Sequence, residues 1–379
     1  MTFLKRLSRL SGLSVCLLML SPEAGADEPP VRYGVVRESM LAVEGGFTAT
    51  YQHADATQVD DEFLLSFDLV TTIPSGPGEW IVYVEGSTTP PDDGVSSVLV
   101  EANADAGSAL DRDAKGRLQV SALNFSLPLG RDSITIGLLD PTGFLDASEI
   151  ANDETSQFIA TDFVNNPTIE FPDYTLGGAY HHEHRGDSLI PGYTLVLTGS
   201  HGLADNPERS YAELVDLHEA GKGAFAAAEL YWELPDAILR IGFWGRDDDH
   251  EKLHGDTGTE GNYGLYGVAD ITLGGASCNL RWGLANGAVS AAADFLALAV
   301  EYPLLGQTLG VGLSRSGASA DLDDGRDAYH AEVYLGIKLT TVLRLTPSIQ
   351  YLKNSGLTSP DDGLPDEVWV AGLRATYGF

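Results

Sequence analysis

Arg240, Arg281, Arg344 and Arg374 each sit in a run where polar and apolar residues alternate. Trp244, Asp270, Glu332 and Gln350 occupy the same polar phase of such runs. A guanidinium offers a planar fork of donors that suits paired hydroxyls or carboxylates, and carboxylates and amides supply the matching acceptors. An indole adds a flat face for an apolar ring surface. Gathered around water, this set would line a constriction able to hydrogen-bond a small polar molecule. The competing reading of each residue is a wall position that pairs across strands and satisfies its neighbours.

Other chemical candidates are weaker. His181-His182-Glu183-His184 has metal-ligand residue types, but alternation separates His181 from His182 and His184, which favours a solvated strand end. Asp321-Leu322-Asp323-Asp324-Gly325 echoes a calcium loop without its ligand spacing or terminal bidentate Glu. Gly199-Ser200-His201-Gly202 lacks the strand-turn-helix elbow that exposes a nucleophilic serine, and Arg185-Gly186-Asp187 reads as a plain turn. No catalytic residue, metal or cofactor is expected from these patterns.

The elements that must position the polar set are strands. Sixteen segments of period-two alternation run from 41–51 to 366–378, each near the ~9–11 residues of a tilted membrane-spanning strand. In one, Leu343, Leu345, Pro347, Ile349 and Tyr351 oppose Arg344, Thr346, Ser348 and Gln350. In the last, Trp369, Ala371, Leu373, Ala375, Tyr377 and Phe379 oppose Arg374 and Thr376. An Arg or Lys facing lipid at mid-depth costs roughly 2–4 kcal/mol, so the charged phase must face a wet lumen. Pro347 on the apolar phase gives up a ladder donor and points to a bulge.

Connections alternate between tight turns, such as Gly274-Gly275 and Leu234-Pro235-Asp236, and longer acidic loops. That alternation predicts an all-β, 16-stranded antiparallel transmembrane barrel spanning 41–379, with short periplasmic turns and long acidic extracellular loops. Two stretches break the pattern. Residues 147–164 read as a short helix capped by Asp146 or Ser148, and 211–220 as another. The first would either fold into the mouth and narrow it or cap the outer rim.

Composition agrees. Lys5, Arg6 and Arg9, the apolar run 10–20 and Ala24-Gly25-Ala26 form a secretory signal over 1–26, followed by a periplasmic segment over 27–40. The net charge of −33 argues against nucleic-acid partners, whose binding rests on basic side chains. After the signal no run approaches the ~18 apolar residues of a membrane helix, and Cys278 is left alone, so no internal disulfide forms.

The segment from Tyr329 to Phe379 resembles the carbohydrate-selective porins of the OprB type, through Tyr329-His330-Ala331-Glu332-Val333-Tyr334, Leu345-Thr346-Pro347-Ser348-Ile349-Gln350-Tyr351 and the closing Tyr377-Gly378-Phe379. Gly137-Leu138-Leu139-Asp140, Phe163-Val164-Asn165-Asn166-Pro167 and Tyr263-Gly264-Leu265-Tyr266 extend the likeness over most of the chain. The resemblance implies a 16-stranded barrel with sugar uptake as its activity. The expectation is an outer-membrane porin through which small solutes, carbohydrates first, diffuse passively. Lipid is its surroundings, the barrel-assembly machinery meets it through Phe379, and monomer and trimer are both open. A general or cation-preferring porin is the alternative. A barrel enzyme would need Ser and His together on the lipid side near the rim, and an adhesin would have a blocked pore.

Overall fold

The computed structural model describes residues 41–379 except 108, 187, 205–207, 216–221, 256–257 and 359–363. The signal segment 1–26, the segment 27–40 and the second half of the 211–220 helix therefore lie outside the described residues.

Sixteen antiparallel strands close into one barrel. The first eight are β1 (Ala42–Ala54), β2 (Glu62–Ser75), β3 (Gly78–Ser87), β4 (Leu118–Leu129), β5 (Asp132–Leu139), β6 (Thr175–His182), β7 (Gly192–Gly199) and β8 (Ala224–Leu234). The second eight are β9 (Ala237–Glu251), β10 (Thr259–Leu273), β11 (Ala276–Ala285), β12 (Ala292–Leu304), β13 (Gln307–Ala318), β14 (Ala328–Lys338), β15 (Leu343–Lys353) and β16 (Glu367–Gly378). Every strand pairs with its sequence neighbours, and β1 pairs with β16 through registers such as Phe47↔Tyr377. The seam extends to the last residue, because Gly45 and Phe379 exchange backbone hydrogen bonds of 3.0 and 2.9 Å. The Phe47 ring packs at a tilt against Phe379 at 6.2 Å and Phe67 at 4.9 Å on the outer face.

All sixteen expected strands are present within a few residues of their sequence limits, because pleat alternation and turn residues are local signals. Outward residues such as Phe243, Ile349 and Trp369 are exposed, whereas Thr346, Gln350 and Arg374 on the opposite phase are buried. Tight turns hold two residues at 76–77, 130–131, 235–236, 274–275 and 305–306. Gly274 and Gly275 take φ of 57° and 88°, the pair of left-handed conformations that a two-residue hairpin matched to strand twist requires. The connections 183–191 and 339–342 are longer than these two-residue turns.

Pro347 makes no bulge. Tyr334↔Ser348 and Ile337↔Leu345 keep one register, and pairing simply lapses between them, so the missing N–H is accommodated by an interrupted ladder. No described helix is long and apolar enough to cross a membrane. The helices are single turns in loops: α1 (Val95–Val98), α2 (Thr161–Val164) and α3 (Tyr211–Val215).

Candidate functional site: two loops inside the barrel

The connection from β5 to β6, residues 140–174, turns into the barrel and lies against the inner faces of β8 to β16. Apolar contact supplies part of its seat. Ile150, Ala151, Phe158, Ala160 and Phe163 bury against Phe295, Ala297, Ala299 and Tyr334. Phe158 meets Tyr334 edge-on at 5.0 Å. Wall glycines make the room: a Cβ at Gly312 would lie 2.7 Å from the Phe163 ring, and one at Gly283 only 1.9 Å from Thr168 Oγ1.

Polar wall residues then bond the loop backbone. Arg281 donates to the carbonyls of Asp146 at 2.8 Å, Ala151 at 3.0 Å and Phe163 at 3.2 Å. Its Nε is also 3.2 Å from Asp146 Oδ1, an ion pair without hydrogen-bond geometry. Arg374 donates to the carbonyls of Glu154 and Gln157, Arg344 to that of Ser156 at 2.7 Å, and Thr376 to that of Thr155 at 2.8 Å. Glu332 accepts from the N–H groups of Ile159 at 3.1 Å and Ala160 at 3.0 Å. Asp270 accepts from Ser148 Oγ at 2.7 Å and the Glu149 N–H at 3.3 Å, while Arg240 neutralises it at 3.1 Å. Near the outer rim Glu170 meets Arg246, His250 and Asn262 at 3.0, 2.9 and 2.8 Å.

This bonding explains why 147–164 is not the expected helix. A helix needs its own N–H and C=O groups paired four residues apart. Here the carbonyls of Ala151, Glu154 and Gln157 go to arginines, and the N–H groups of Glu149, Ile159 and Ala160 go to carboxylates. Only Thr161–Val164 coils, for one turn. Ser148 does cap locally, its hydroxyl accepting from the Ile150 and Ala151 N–H groups at 3.3 and 3.2 Å.

Seven of the eight singled-out side chains are thus brought to the inner wall and engaged with loops or with each other. Trp244 is a correction to the expected aromatic lumen face: it is 0% exposed, packed with Phe225, Tyr266, Leu145 and Ile169 beneath the loop. Gln350, also 0% exposed, bonds His330 at 2.9 Å and the carbonyl of Ala102 at 3.0 Å. Alternation identifies the inner phase but not what fills the space in front of it.

Ala102 belongs to a second inserted connection, residues 88–117 between β3 and β4, which the sequence reading did not single out. Gln52 donates to the same Ala102 carbonyl at 2.9 Å and accepts from Asn103 at 2.8 Å. The Ala104 N–H reaches the Ile159 carbonyl at 2.8 Å, joining the two loops, and Ser66 donates to Asp105 at 2.8 Å. The available signal was a pair of inward amides, Gln52 and Gln350, on strands that flank β16 in the closed barrel.

Between these loops and the walls of β1 to β3 lies a cavity of about 500 Å³. Glu44, Asp68 and Glu85 line it from the wall. Asp105, Asp140, Asp153, Glu154 and Asp173 line it from the loops, and no Lys or Arg is among its described lining residues. Tyr83 and Tyr174 also face it, donating to Asp68 at 2.6 Å and to Glu85 at 2.7 Å. A second cavity of about 470 Å³ toward the β11–β12 loop shares Asn165 and Asp173 with the first. Burial, reinforced by Asp68, raises the Asp105 carboxyl to about 7. Burial, with Asp153 and Asp105 adding repulsion, pushes Glu154 well above the usual range. Asp146 also rises to about 7 through burial, against the pull of Arg281.

Comparison with solved structures brings in Pseudomonas putida OprB, determined at high pH, with a TM-score of 0.67 over 89% of this chain and 94% of that one. The fold is that of a porin. Outer-membrane-expressed OmpT of Vibrio cholerae aligns at a TM-score of 0.54 over 91% of this chain and 99% of its own. A double mutant of the Rh. blastica porin aligns at 0.52 over 90% and 100%. Each is 13% identical to this chain, so the likeness is one of fold. No family model matches the sequence. One stretch of 73 residues is 40% identical to an uncharacterized protein of Aquifex aeolicus (strain VF5), covering 18% of this chain and 24% of that protein, so the chain spans about a quarter of that relative.

Proposed function

We propose that this chain is an outer-membrane porin, a water-filled channel through which small polar solutes diffuse, with carbohydrates as the leading class. The observation that carries the channel is the polar cavity beside an inserted loop in a closed barrel whose outer phase is apolar. Side chains aimed at lipid on one face and at water on the other describe a membrane pore. The carbohydrate class is supported by the Tyr329–Phe379 resemblance, by the shared fold with OprB, and by Tyr83 and Tyr174 beside carboxylate acceptors, which suit sugar rings and hydroxyls. The bonds made by Arg240, Arg281, Arg344, Arg374, Asp270, Glu332 and Gln350 support a role in fixing the width of the passage. None of them lines the 500 Å³ cavity.

One observation favours a second reading within the same class. Eight carboxylates line that cavity with no Lys or Arg among its described lining residues, and those that ionise give a negative potential that draws in cations and excludes anions. Refolded protein in planar bilayers tests both readings. Conductance under a KCl gradient with a potassium-favouring reversal potential, blocked in a saturable way by a sugar, supports the porin, its charge preference and the carbohydrate class together. Conductance without sugar block removes the carbohydrate class, and silence from a folded barrel removes the channel.

A further inference from the structure

Leu189 and Ile190, 96% and 74% exposed, stand side by side in the connection from β6 to β7. The backbone that presents them is tied down. Buried His184 is the pivot: its N–H donates to the Tyr231 hydroxyl at 2.9 Å, and its Nδ1 accepts from the Glu233 N–H at 3.2 Å. Its Nε2 therefore carries the ring proton and donates to the Ser188 carbonyl at 3.0 Å. Ser188 Oγ accepts from the Ile190 N–H at 3.0 Å, and the Leu189 carbonyl accepts from the Trp232 indole at 3.2 Å. Two large aliphatic side chains are thus displayed on a bonded frame.

Trp232 shows which way that frame faces. It lies on the outward phase of β8 with Leu230 and Leu234, and β7 beside it turns Leu195 and Leu197 outward. At the same end of the barrel Tyr193 packs against Tyr180 at 5.8 Å and stacks on His182 at 5.0 Å. Asp132 accepts from Tyr180 at 2.8 Å and meets His182 at 2.6 Å. An outer face that passes from Leu to Tyr, His and Trp marks the change from acyl chains to headgroups. Single apolar side chains scattered on a surface are ordinary. This pair differs because it is bonded to a ring of that belt and so continues the apolar wall.

From that continuity we propose that Leu189 and Ile190 insert into the membrane leaflet at the tight-turn end of the barrel. Their side chains reach the acyl boundary of the phospholipids, and the His184 frame sits among the headgroups. The inference rests on the membrane-barrel reading and goes beyond transport. It makes one connection a lipid-binding element that sets the depth of the β6–β8 flank.

Site-specific fluorescence tests this. A chain without its own cysteines (Cys16→Ser/Cys278→Ser) carries one of Leu189→Cys, Ile190→Cys, Gly186→Cys or Leu197→Cys, each labelled with an environment-sensitive fluorophore. Heat-modifiable electrophoretic mobility confirms that each barrel is folded. A side chain at Gly186, in the same connection, meets nothing within 4 Å and is the water-side control. Leu197→Cys, on the outer wall, reports on the barrel itself. In vesicles of phosphatidylethanolamine and phosphatidylglycerol, labels at 189 and 190 are expected to emit at shorter wavelength than the label at 186. They should lose emission when the acyl chains are brominated and resist aqueous iodide. Iodide quenching at 189 and 190 equal to that at 186, without an effect of bromine, overturns the inference, and bromine quenching at 197 then leaves the barrel reading standing. Emission insensitive to both quenchers that falls as the protein-to-lipid ratio rises assigns the pair to a second copy of this chain and also overturns it. A folded barrel without bromine quenching at 197 overturns the membrane reading itself.

Discussion

Arg281 holds Asp146 twice, through the Asp146 carbonyl at 2.8 Å and through its carboxylate at 3.2 Å, with the guanidinium 1% exposed. One side chain thereby fixes the point where the inserted chain leaves the rim and turns downward. Removing it strands a buried carboxylate and three carbonyls. Arg281→Met is expected to cost about 3–5 kcal/mol, read as a lowered denaturant midpoint of the refolded barrel. Asp146→Asn in the same chain should recover part of that loss, because it removes the uncompensated charge. An unchanged midpoint in the single variant would show that the pair carries no net stability.

Acidity at the loops gives two pH dependences of definite sign. The Asp105 and Asp146 carboxyls, raised to about 7, are neutral below that pH and ionised above it. Because Asp105 lines the cavity, cation preference should strengthen as pH rises from about 6 to about 8, measured as reversal potential. Stability runs the other way. The unfolded chain releases these protons near pH 4, so the native state holds protons the unfolded state has lost. Their contribution falls between about pH 4 and about pH 7 and is flat above that. Denaturant midpoints that rise across this window on account of these two groups, judged against Asp105→Asn/Asp146→Asn, would contradict the assignment.

Glycine at the wall is predicted to be a spacing device. Gly312→Val would place a branched side chain where the Phe163 and Phe158 rings stand, 2.7 and 3.0 Å from a Cβ. The expected result is a cost of about 1–3 kcal/mol or a displaced loop. Limited proteolysis within 140–174 reads the displacement, and protection equal to wild type would refute it.

Pro347 should be replaceable. Because the ladder is already interrupted around it, Pro347→Val loses no strand hydrogen bond and gains a donor able to pair. The denaturant midpoint is expected to stay level or rise. A fall would mean that the fixed φ of proline is itself needed at that site.

The barrel was legible in the sequence because its information is local. Thr346, Ser348 and Gln350 against Leu345, Pro347 and Ile349 state which face is which, whatever the rest of the chain does. The course of the inserted loops was not legible: for 147–164 folding into the mouth was one of two readings, and the path it takes there is dictated by partners far away in sequence. Nothing between 147 and 164 announces that Arg374 will take the carbonyl of Gln157 or that Glu332 will take two N–H groups. The polar residues singled out from the sequence were placed on the correct face, yet most bond to protein there. Asp105, at the cavity, lay in a loop whose acidity looked like ordinary surface.

The β16 strand has an unusual set of neighbours. It zips to β15 on one edge and to β1 on the other, and from its inner face Arg374 and Thr376 hold the loop backbone at Glu154, Thr155 and Gln157. Its other anchors ring the interior from β8 to β15, so the loop braces the closed cylinder from within. The inserted segment acts as an internal mandrel against which the end staves rest, and a strain that opens the β1–β16 seam must also work against its hold on Arg374 and Thr376.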